Sequence, residues 1–465
     1  MARGKKKESA LTPEEKLAQA LVPEDEQPYK VPRNWCWVKL SSLSSLISKG
    51  TTPTGGKTAY VPEGVHFLRV ENINDDGTIS HDNIVCVTEE MHTGFLRRSM
   101  LEKRDILVSI AGTLGKTGIV QETDLPLNTN QAVAFIRLKT EAIDERYIKN
   151  VIDNPIAQEL LLGKTKVTSI PNLTLEIIGD CPIPLAPTAE QQRIVDRIEY
   201  LFSKLDEAKE KAQSVLDSFE TRKAAILHKA FTGELTAKWR AEHGDGQEEW
   251  QRTSIGAIAD VKGGKRVPKG MELTTEDTGH PYIKAGNLKQ GTVIDDGMMY
   301  VPDDVLQYIK NYTVQAGDVY ITNVGACIGD CGVIPPKYDG ANLTENAVKI
   351  TNLRCNSDYL ALFLASNTVQ QSIKSLIASA TLGKLSIANI KTIAIDLPSS
   401  KEQMEIVSII KRLFSKEQRA KEAAEVVLEK IDLLKKSILA RAFRGELGTN
   451  DPTEETALEL LKRTL

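Results

Sequence analysis

The chain has 465 residues, 41% of them hydrophobic and 26% charged, and a formal net charge of −4 from 59 basic and 63 acidic side chains. This length supports two to four domains, each with its own core, and the composition excludes a disordered or fibrous chain. The mild acidity excludes a nucleic-acid binder that works by overall charge alone, so such a role needs basic residues gathered on one face or supplied by a partner.

In chain order, residues 1–31 read as a charged arm that opens with Lys5-Lys6-Lys7, is flexible, and holds one short helix near Pro13 to Leu21. A mixed α/β unit is expected over 32–186. Its strand-like runs are HFLRV, DILVSI, TGIV and AVAFIRL, followed by a helical stretch from about Asp144 to Leu162 and by IIGDCPIPL. A long helix over 187–235 and a linker over 236–249 follow. The second unit, 250–397, repeats the order with PYIKA, DVYITNV, CGVI and AVKIT, a helical stretch from about Asp358 to Ala378, and TIAIDLP. A second long helix over 398–447 leads to a tail, 448–465, in which Asp451-Pro452-Thr453 looks like a cap and TALELLKRTL like a helix whose leucines dock on a partner. Pro187 and Pro398 stand just before the long helices, where proline favours initiation.

Several function classes drop out. No apolar run is long enough to span a bilayer and the first residues lack an apolar signal core, so a cytoplasmic location is expected. Cys36, Cys86, Cys181, Cys327, Cys331 and Cys355 are scattered, with one CxxxC pair and no histidine near it, which supports neither zinc nor a disulfide framework. In SIAGTLGKTGIV, Ser109 to Val120, the Gly-Lys-Thr looks like the end of a phosphate loop. The glycine that such a loop needs is Ile110, and Gly-Ile-Val after Thr117 is strand-like. We read it as a glycine turn between strands, and read no catalytic residue and no metal site in the chain.

The sequence is written twice. Glu190-Gln191, Ile194-Val195 and Leu201-Phe202-Ser203-Lys204 recur as Glu402-Gln403, Ile406-Val407 and Leu413-Phe414-Ser415-Lys416, 212 positions on, and ILHKAFTGEL recurs as ILARAFRGEL at the same separation. Upstream, FLRVENI resembles YIKAGNL and Trp37 is matched to Trp250. Gly112, Gly115 and Gly118 return as Gly325, Gly329 and Gly332, while Lys116 and Thr117 become Asp330 and Cys331. Ile194, Ile198, Leu201, Leu205, Ala208, Ala212, Val215 and Phe219 form a heptad seam. Ile406, Ile410, Leu413, Ala420, Ala424, Val427, Ile431, Leu434 and Ile438 form its copy, with Glu417 as a polar interruption. About 40 residues make a rod on the order of 60 Å. A two-fold relation between the halves makes the helices pair antiparallel, as a ruler between two similar units.

These residues resemble the specificity subunit of type I restriction-modification enzymes. The resemblance rests on IPLAPTAEQQRIVDRIEYLFSKLD, on IDLPSSKEQMEIV, on the paired AFTGEL and AFRGEL ends and on the duplicated glycine turn, and covers roughly Pro32 to Gly448. It implies two α/β target-recognition domains joined by two long helices that pair as an antiparallel coiled coil with pseudo-two-fold symmetry. Each domain then reads one half of a bipartite, asymmetric DNA site. It further implies that the helices set the spacer and dock two modification subunits, and that restriction subunits join that core. The chain itself is then non-catalytic and binds no cofactor; S-adenosylmethionine belongs to the modification subunits, and ATP and magnesium to the restriction subunits.

Base edges are read by Arg and Lys on guanine, Asn and Gln on adenine, and acidic groups on cytosine, so readers are sought on loops where the halves diverge. In the first unit these are Lys49, Thr51, Thr52, Lys57, Lys116, Thr117, Asn128, Asn130, Gln131, Lys164, Lys166 and Thr168. In the second they are Lys262, Lys265, Arg266, Lys269, Asn323, Glu345, Asn346 and Lys384. Arg69 and Lys284, beside the paired Asn72 and Asn287, suit backbone positioning. KGTTPTGGK and KGGKRVPKG occupy equivalent places and are both basic and glycine-rich. The competing classes are a coiled-coil scaffold for proteins and a nuclease or NTPase.

Overall fold

A computed structural model describes residues 11–163, 173–243, 250–378 and 383–465. The chain divides into two units, Met1–Lys211 with Val427–Leu465, and Ala212–Val426. Each is therefore one α/β domain together with a stretch of both long helices.

The first unit holds strands β1 (Cys36–Lys39), β2 (Ser44–Lys49), β3 (Val65–Leu68), β4 (Val85–Val87), β5 (Ile106–Ser109), β6 (Thr117–Ile119), β7 (Leu127–Thr129), β8 (Val133–Leu138) and β9 (Pro182–Leu185). They form a four-stranded sheet β2-β8-β5-β6, a three-stranded sheet β4-β3-β7 and a pair β1-β9. The second unit holds β10 (Gln251–Ser254), β11 (Asp260–Gly263), β12 (Pro281–Ile283), β13 (Leu288–Lys289), β14 (Thr292–Val293), β15 (Met299–Tyr300), β16 (Val319–Thr322), β17 (Cys331–Val333), β18 (Asn342–Leu343), β19 (Ala347–Thr351) and β20 (Ala394–Leu397). Its sheets are β11-β19-β16-β17, β15-β12-β18, β13-β14 and β10-β20. Strand for strand this is the first unit again, with one added hairpin.

The glutamate-glutamine pair that opens each long helix explains why that dipeptide is repeated. Gln191 donates to the Ala186 carbonyl at 2.8 Å and accepts the Asp144 N–H at 3.0 Å; Gln403 donates to Pro398 at 2.9 Å and accepts from Asn356 at 2.8 Å. Each glutamine thus ties the start of its long helix to the start of the helix Glu145–Asp153 or Ser357–Leu364. The neighbouring glutamates are buried and accept an indole N–H, Glu190 from Trp35 at 2.7 Å and Glu402 from Trp250 at 3.2 Å. Trp35, not Trp37, is therefore the partner of Trp250. Opposite cross-strand neighbours agree, since Cys36 pairs with Leu185 as Gln251 pairs with Leu397.

The first long helix is interrupted. It runs Thr188–Asp217 and resumes as Phe219–Phe231, whereas the second is continuous over Ser400–Ala442. The break is at Ser218, whose hydroxyl donates back to the Ser214 carbonyl at 2.5 Å and accepts from Arg222, a side-chain-to-backbone bond that bends helices.

Within each unit the helices pair antiparallel. In the second, Lys223 stands over Phe414, Arg222 bonds Glu417 at 2.6 Å, and Lys421 stands over Phe219, so one chain falls as the other rises. In the first, Lys435 reaches Asp206 at 2.6 Å and covers Phe202. Ile194, Ile198, Ala212 and Phe219 are buried, and Leu201, Leu205, Ala208 and Val215 half-buried. On the second helix Ile406, Ile410, Ala424 and Ile431 are buried, and Leu413 and Ile438 half-buried. Ala420, Val427 and Leu434 are exposed and do not belong to the seam. The seam passes one residue on, through Glu417, Lys421, Leu428 and Lys435, because long charged side chains lay their aliphatic stems along it. Glu417 is thus a member of the seam rather than an interruption.

The ends are also built in. Residues 11–31, expected as a flexible arm, contain the helix Pro13–Ala20, and Leu17, Leu21, Tyr29 and Val31 pack on the first unit's core. Ala457, Leu460 and Leu461 of the last helix, Ala457–Thr464, are buried in that same core, so those leucines are not available to a partner. Ala237–His243 in the linker is helical. No helix among the described residues is long and apolar enough to cross a membrane.

Candidate nucleic-acid interface

Both four-stranded sheets end in the same ring of loops. In the first unit Gly50 donates to the Val133 carbonyl at 3.0 Å and Thr51 to Thr129 at 3.1 Å; Ile110 donates to Ala132 at 2.8 Å and Leu173 to Ile110 at 3.1 Å. A β-carbon on Gly50 would overlap the carbonyls of Thr129 and Asn130, so glycine alone lets the basic loop lie on that turn. Lys49, Thr51 and Thr52 are thereby set beside Asn130 and Gln131. In the second unit Gly264 donates to Ala347 at 3.1 Å, Lys265 to Leu343 at 2.9 Å, Asn323 to Asn346 at 3.0 Å and Leu385 to Asn323 at 3.0 Å. Gly264 meets the carbonyls of Leu343 and Thr344 as Gly50 meets its own. Lys265, Arg266, Asn323, Glu345, Asn346 and Lys384 share that strand end.

Lys49, Thr52, Gln131, Lys265, Arg266, Lys269 and Lys384 are exposed, and Thr51, Asn130, Asn323, Glu345 and Asn346 half-buried. Arg266 bonds Glu345 at 2.5 Å, and the Lys265 ammonium stands 5.5 Å from the Tyr312 ring centre. Burial pushes the Glu345 carboxyl up, but Arg266, a backbone N–H and the Thr344 hydroxyl outweigh it and hold it low. The Asn323 amide oxygen is buried and has no hydrogen-bond partner among the described residues. Lys262 lies farther back on β11, paired with Asp260 at 3.4 Å. Lys57 falls in the turn Gly56–Ala59. Lys164, Lys166 and Thr168 lie outside the described residues.

Two expected readers are committed elsewhere and a third is ion-paired. Asn128 is fully buried and donates to the His92 ring and to the Leu96 carbonyl at 3.1 Å each. Thr117 is buried and donates to Asp153 at 2.6 Å. Lys116 is paired with Asp75 at 3.0 Å. In the second unit Asp330 takes its place, pushed up by burial and drawn down by Lys289. Arg69 and Lys284 are held by asparagine caps, their N–H groups donating to Asn72 at 3.0 Å and Asn287 at 3.1 Å, and Arg69 also pairs with Glu71 at 2.6 Å.

The glycine turn leads into strand β6 rather than a helix. Gly115 and Gly329 have φ of +77° and +99°, and a glutamine amide lies on each. Gln158 donates to Gly115 at 3.0 Å and Gln370 to Gly329 at 3.0 Å. The turn is a packing joint, with the Gln158 amide where a β-carbon on Gly115 would stand.

Sequence reasoning missed a second flank. Phe95 is 56% exposed and Tyr308 54% exposed, so each unit shows an aromatic there. Arg97 and Arg98, and Lys310, follow them. Asn128 and its counterpart Asn342 hold these flanks, Asn342 by donating to the Ile309 carbonyl at 2.8 Å. Exposed aromatics beside basic residues are what base stacking and phosphate contact require. The signal was the similarity of FLRR and YIKN, which is too short to find unaided. Among the described residues no cluster of three His, Cys, Asp or Glu side chains is placed to hold a metal. His81 lies 2.9 Å from Asp124 and 3.2 Å from His66, whose pKa burial and that neighbour lower.

Comparison with known proteins agrees with this duplicated arrangement. The model of the type I restriction modification DNA specificity domain matches twice, over residues 32–216 and 247–427. The chain is 31% identical over 218 residues to the EcoBI specificity subunit of Escherichia coli, covering 46% of this chain and 45% of that one. It is 22% identical to the EcoKI specificity subunit of Escherichia coli K12 over 90% of each chain. The crystal structure of the HsdS subunit from Thermoanaerobacter tengcongensis superposes with a TM-score of 0.65 at 18% identity, covering 91% of this chain and all of that one, which establishes a shared fold. With both α/β units matched and their strand ends alike, the chain belongs to the type I restriction-modification DNA specificity family.

Proposed function

We propose that the ring of loops at the strand end of each unit reads one half of a bipartite DNA site. The observation that carries this reading is that both units place a glycine-dependent basic loop against a polar turn, Asn130-Gln131 in one and Glu345-Asn346 in the other. The backbone geometry is shared while the side chains differ, as two readers of different sequences require. The unfilled Asn323 oxygen suits a base amino group. Phe95 with Arg97 and Arg98, and Tyr308 with Lys310, supply flanking contacts.

The chain acts as the address reader, and methyl transfer and cleavage belong to modification and restriction subunits that use S-adenosylmethionine, and ATP with magnesium. Val427, Leu433 and Leu434, 39%, 67% and 47% exposed on the second long helix, offer such subunits an apolar stripe. The length of the paired helices sets the gap between the half-sites.

Exchange of residues 51–185 for the corresponding segment of a relative tests this. Methylome sequencing of cells that express the exchanged chain with its modification subunit is expected to show a new first half-site and an unchanged second one. A change in both halves, or in neither, sinks the assignment. Whole-turn insertions in both long helices should lengthen the gap, and an unchanged gap refutes the spacer role.

A further inference from the structure

The two units differ at one face. In the first, the N-terminal arm is seated on it: Val22 donates to the Trp37 carbonyl at 3.0 Å along the free edge of β1. Tyr29 packs edge-on against Trp37 at 4.9 Å, accepts the Trp37 indole N–H on its carbonyl at 3.1 Å, and lies under the Arg444 guanidinium at 5.6 Å. Asn154 stands at its hydroxyl. In the second unit the same face is an open groove of about 1140 Å³. The correspondence is fixed by two markers. Tyr147 and Tyr359 donate to the Pro184 and Asp396 carbonyls, and Phe443 and Phe231 pack on those tyrosines at 5.4 Å in both units. On that register Arg252 replaces Trp37, Thr232 replaces Arg444, Ser366 replaces Asn154 and Ile393 replaces Cys181, and all four line the groove. Among the described residues β10 pairs with β20 alone, leaving its other edge without the strand partner that Leu21 and Val22 give β1.

We infer that the groove of the second unit is a docking site for an extended, tyrosine-bearing acidic segment of another polypeptide, built like residues 22–31 of this chain. Three features select that occupant. The edge of β10 away from β20, unpaired among the described residues, offers backbone groups for strand addition. Phe231, Phe363 and Ile393 give the groove an apolar lining on which an aromatic side chain can be buried. Arg252 adds a cation where the first unit has an indole, so an aromatic ring gains a cation–π contact, and acidic flanks such as Glu24-Asp25-Glu26 share that cation with Asp396, its neighbour on the facing strand. The inference does not rest on the DNA reading, and either can fail alone.

The test uses the full chain and a fluorescent peptide, VPEDEQPYKV, copied from Val22 to Val31. Anisotropy should show saturable binding that weakens at least about tenfold when the peptide tyrosine becomes alanine, as loss of a buried aromatic anchor does. Ala225→Trp on the chain, an exposed helical position lining the groove, should weaken it as much without lowering the melting temperature, and Arg252→Glu should weaken it further. A photo-crosslinking phenylalanine in place of the tyrosine should mark residues 221–232 or 363–376. Absence of binding, equal binding to the Ala225→Trp chain, or adducts confined to residues 436–444, where the peptide would have displaced the arm, each overturns the proposal.

Discussion

Glu190 in the first unit and Glu402 in the second occupy one position and bind one partner type, a tryptophan indole, yet their remaining partners differ. Glu402 also accepts from Thr236 at 2.6 Å and from the Arg240 guanidinium at 2.5 Å. Glu190 accepts from Asn450 at 3.0 Å, while the nearby Arg193 is engaged by Glu454 at 2.8 Å. One unit buries an ion pair and the other a carboxylate held by neutral donors. The geometry of the position is common to both units, whereas its charge balance is settled within each one.

The largest effect expected from this contrast is at Glu402. Glu402→Gln strands a partly buried Arg240 and should destabilise the second unit by about 3 kcal/mol, read as a fall in its urea midpoint at neutral pH. Glu190→Gln keeps a neutral acceptor for the indole and should change the first unit by under about 1 kcal/mol. A larger loss at Glu190 than at Glu402 would break the comparison. pH sharpens it further. Burial raises the Glu190 pKa, so folding favours the protonated form. Its contribution is full below the ordinary carboxylate pKa and is lost as pH rises through the raised one. The first unit of the wild-type chain should therefore lose stability across that rise, and Glu190→Gln should flatten the loss.

The glycines of the shared turn come next. At Gly115 a β-carbon would meet the Gln158 amide as well as a φ of +77°, whereas Gly112, at φ +78°, has open space around it. Gly115→Ala should destabilise the first unit by about 2 kcal/mol and Gly112→Ala by about 1 kcal/mol, from backbone strain alone. Equal effects would mean that the glutamine moves aside and that the turn is not a packing joint.

The repeat, the α/β order of each unit and the helix-to-helix pairing were legible because they rest on patterns that recur: the Glu-Gln pair, the AFxGEL ends and the first seam. Three things were not. Asn128 and Thr117 differ in kind from their neighbours in sequence, but their burial is set by His92, Leu96 and Asp153, which lie 36 or fewer positions away and carry no local signal. Lys116 looked like a determinant because its copy is Asp330. Its ion-pair partner Asp75 comes from a separate loop and carries no local signal in the sequence. The arm looked flexible because its composition is polar, whereas Leu17, Ala20, Leu21, Tyr29 and Val31 find a ready seat.

That revision predicts a contrast within the first loop ring. Lys49→Ala should weaken DNA binding by the complex about fivefold and lower the salt slope by about one, whereas Lys116→Ala, which removes a charge already spent on Asp75, should change affinity less than about twofold. The reverse order would restore Lys116 as a reader and demote the basic loop. Filter-binding titrations at several salt concentrations separate the two cases.

The smallest effects test the seam. Leu434 and Lys435 are neighbours, and hydrophobicity alone assigns the leucine to the helix pair. The structure exposes Leu434 by 47% and lays Lys435 across the Phe202 ring with its ammonium on Asp206. Lys435→Ala removes an aliphatic stem, a cation–π contact and a half-exposed ion pair, each small, and together about 1 kcal/mol. Leu434→Ala removes a side chain that already faces water and should fall within about 0.5 kcal/mol. If the leucine proves the more damaging in the isolated chain, then the heptad register read from the sequence is right. If it is damaging only when modification subunits are present, then Leu434 belongs to their docking stripe, and a residue that misleads as a seam position has its meaning as a surface one.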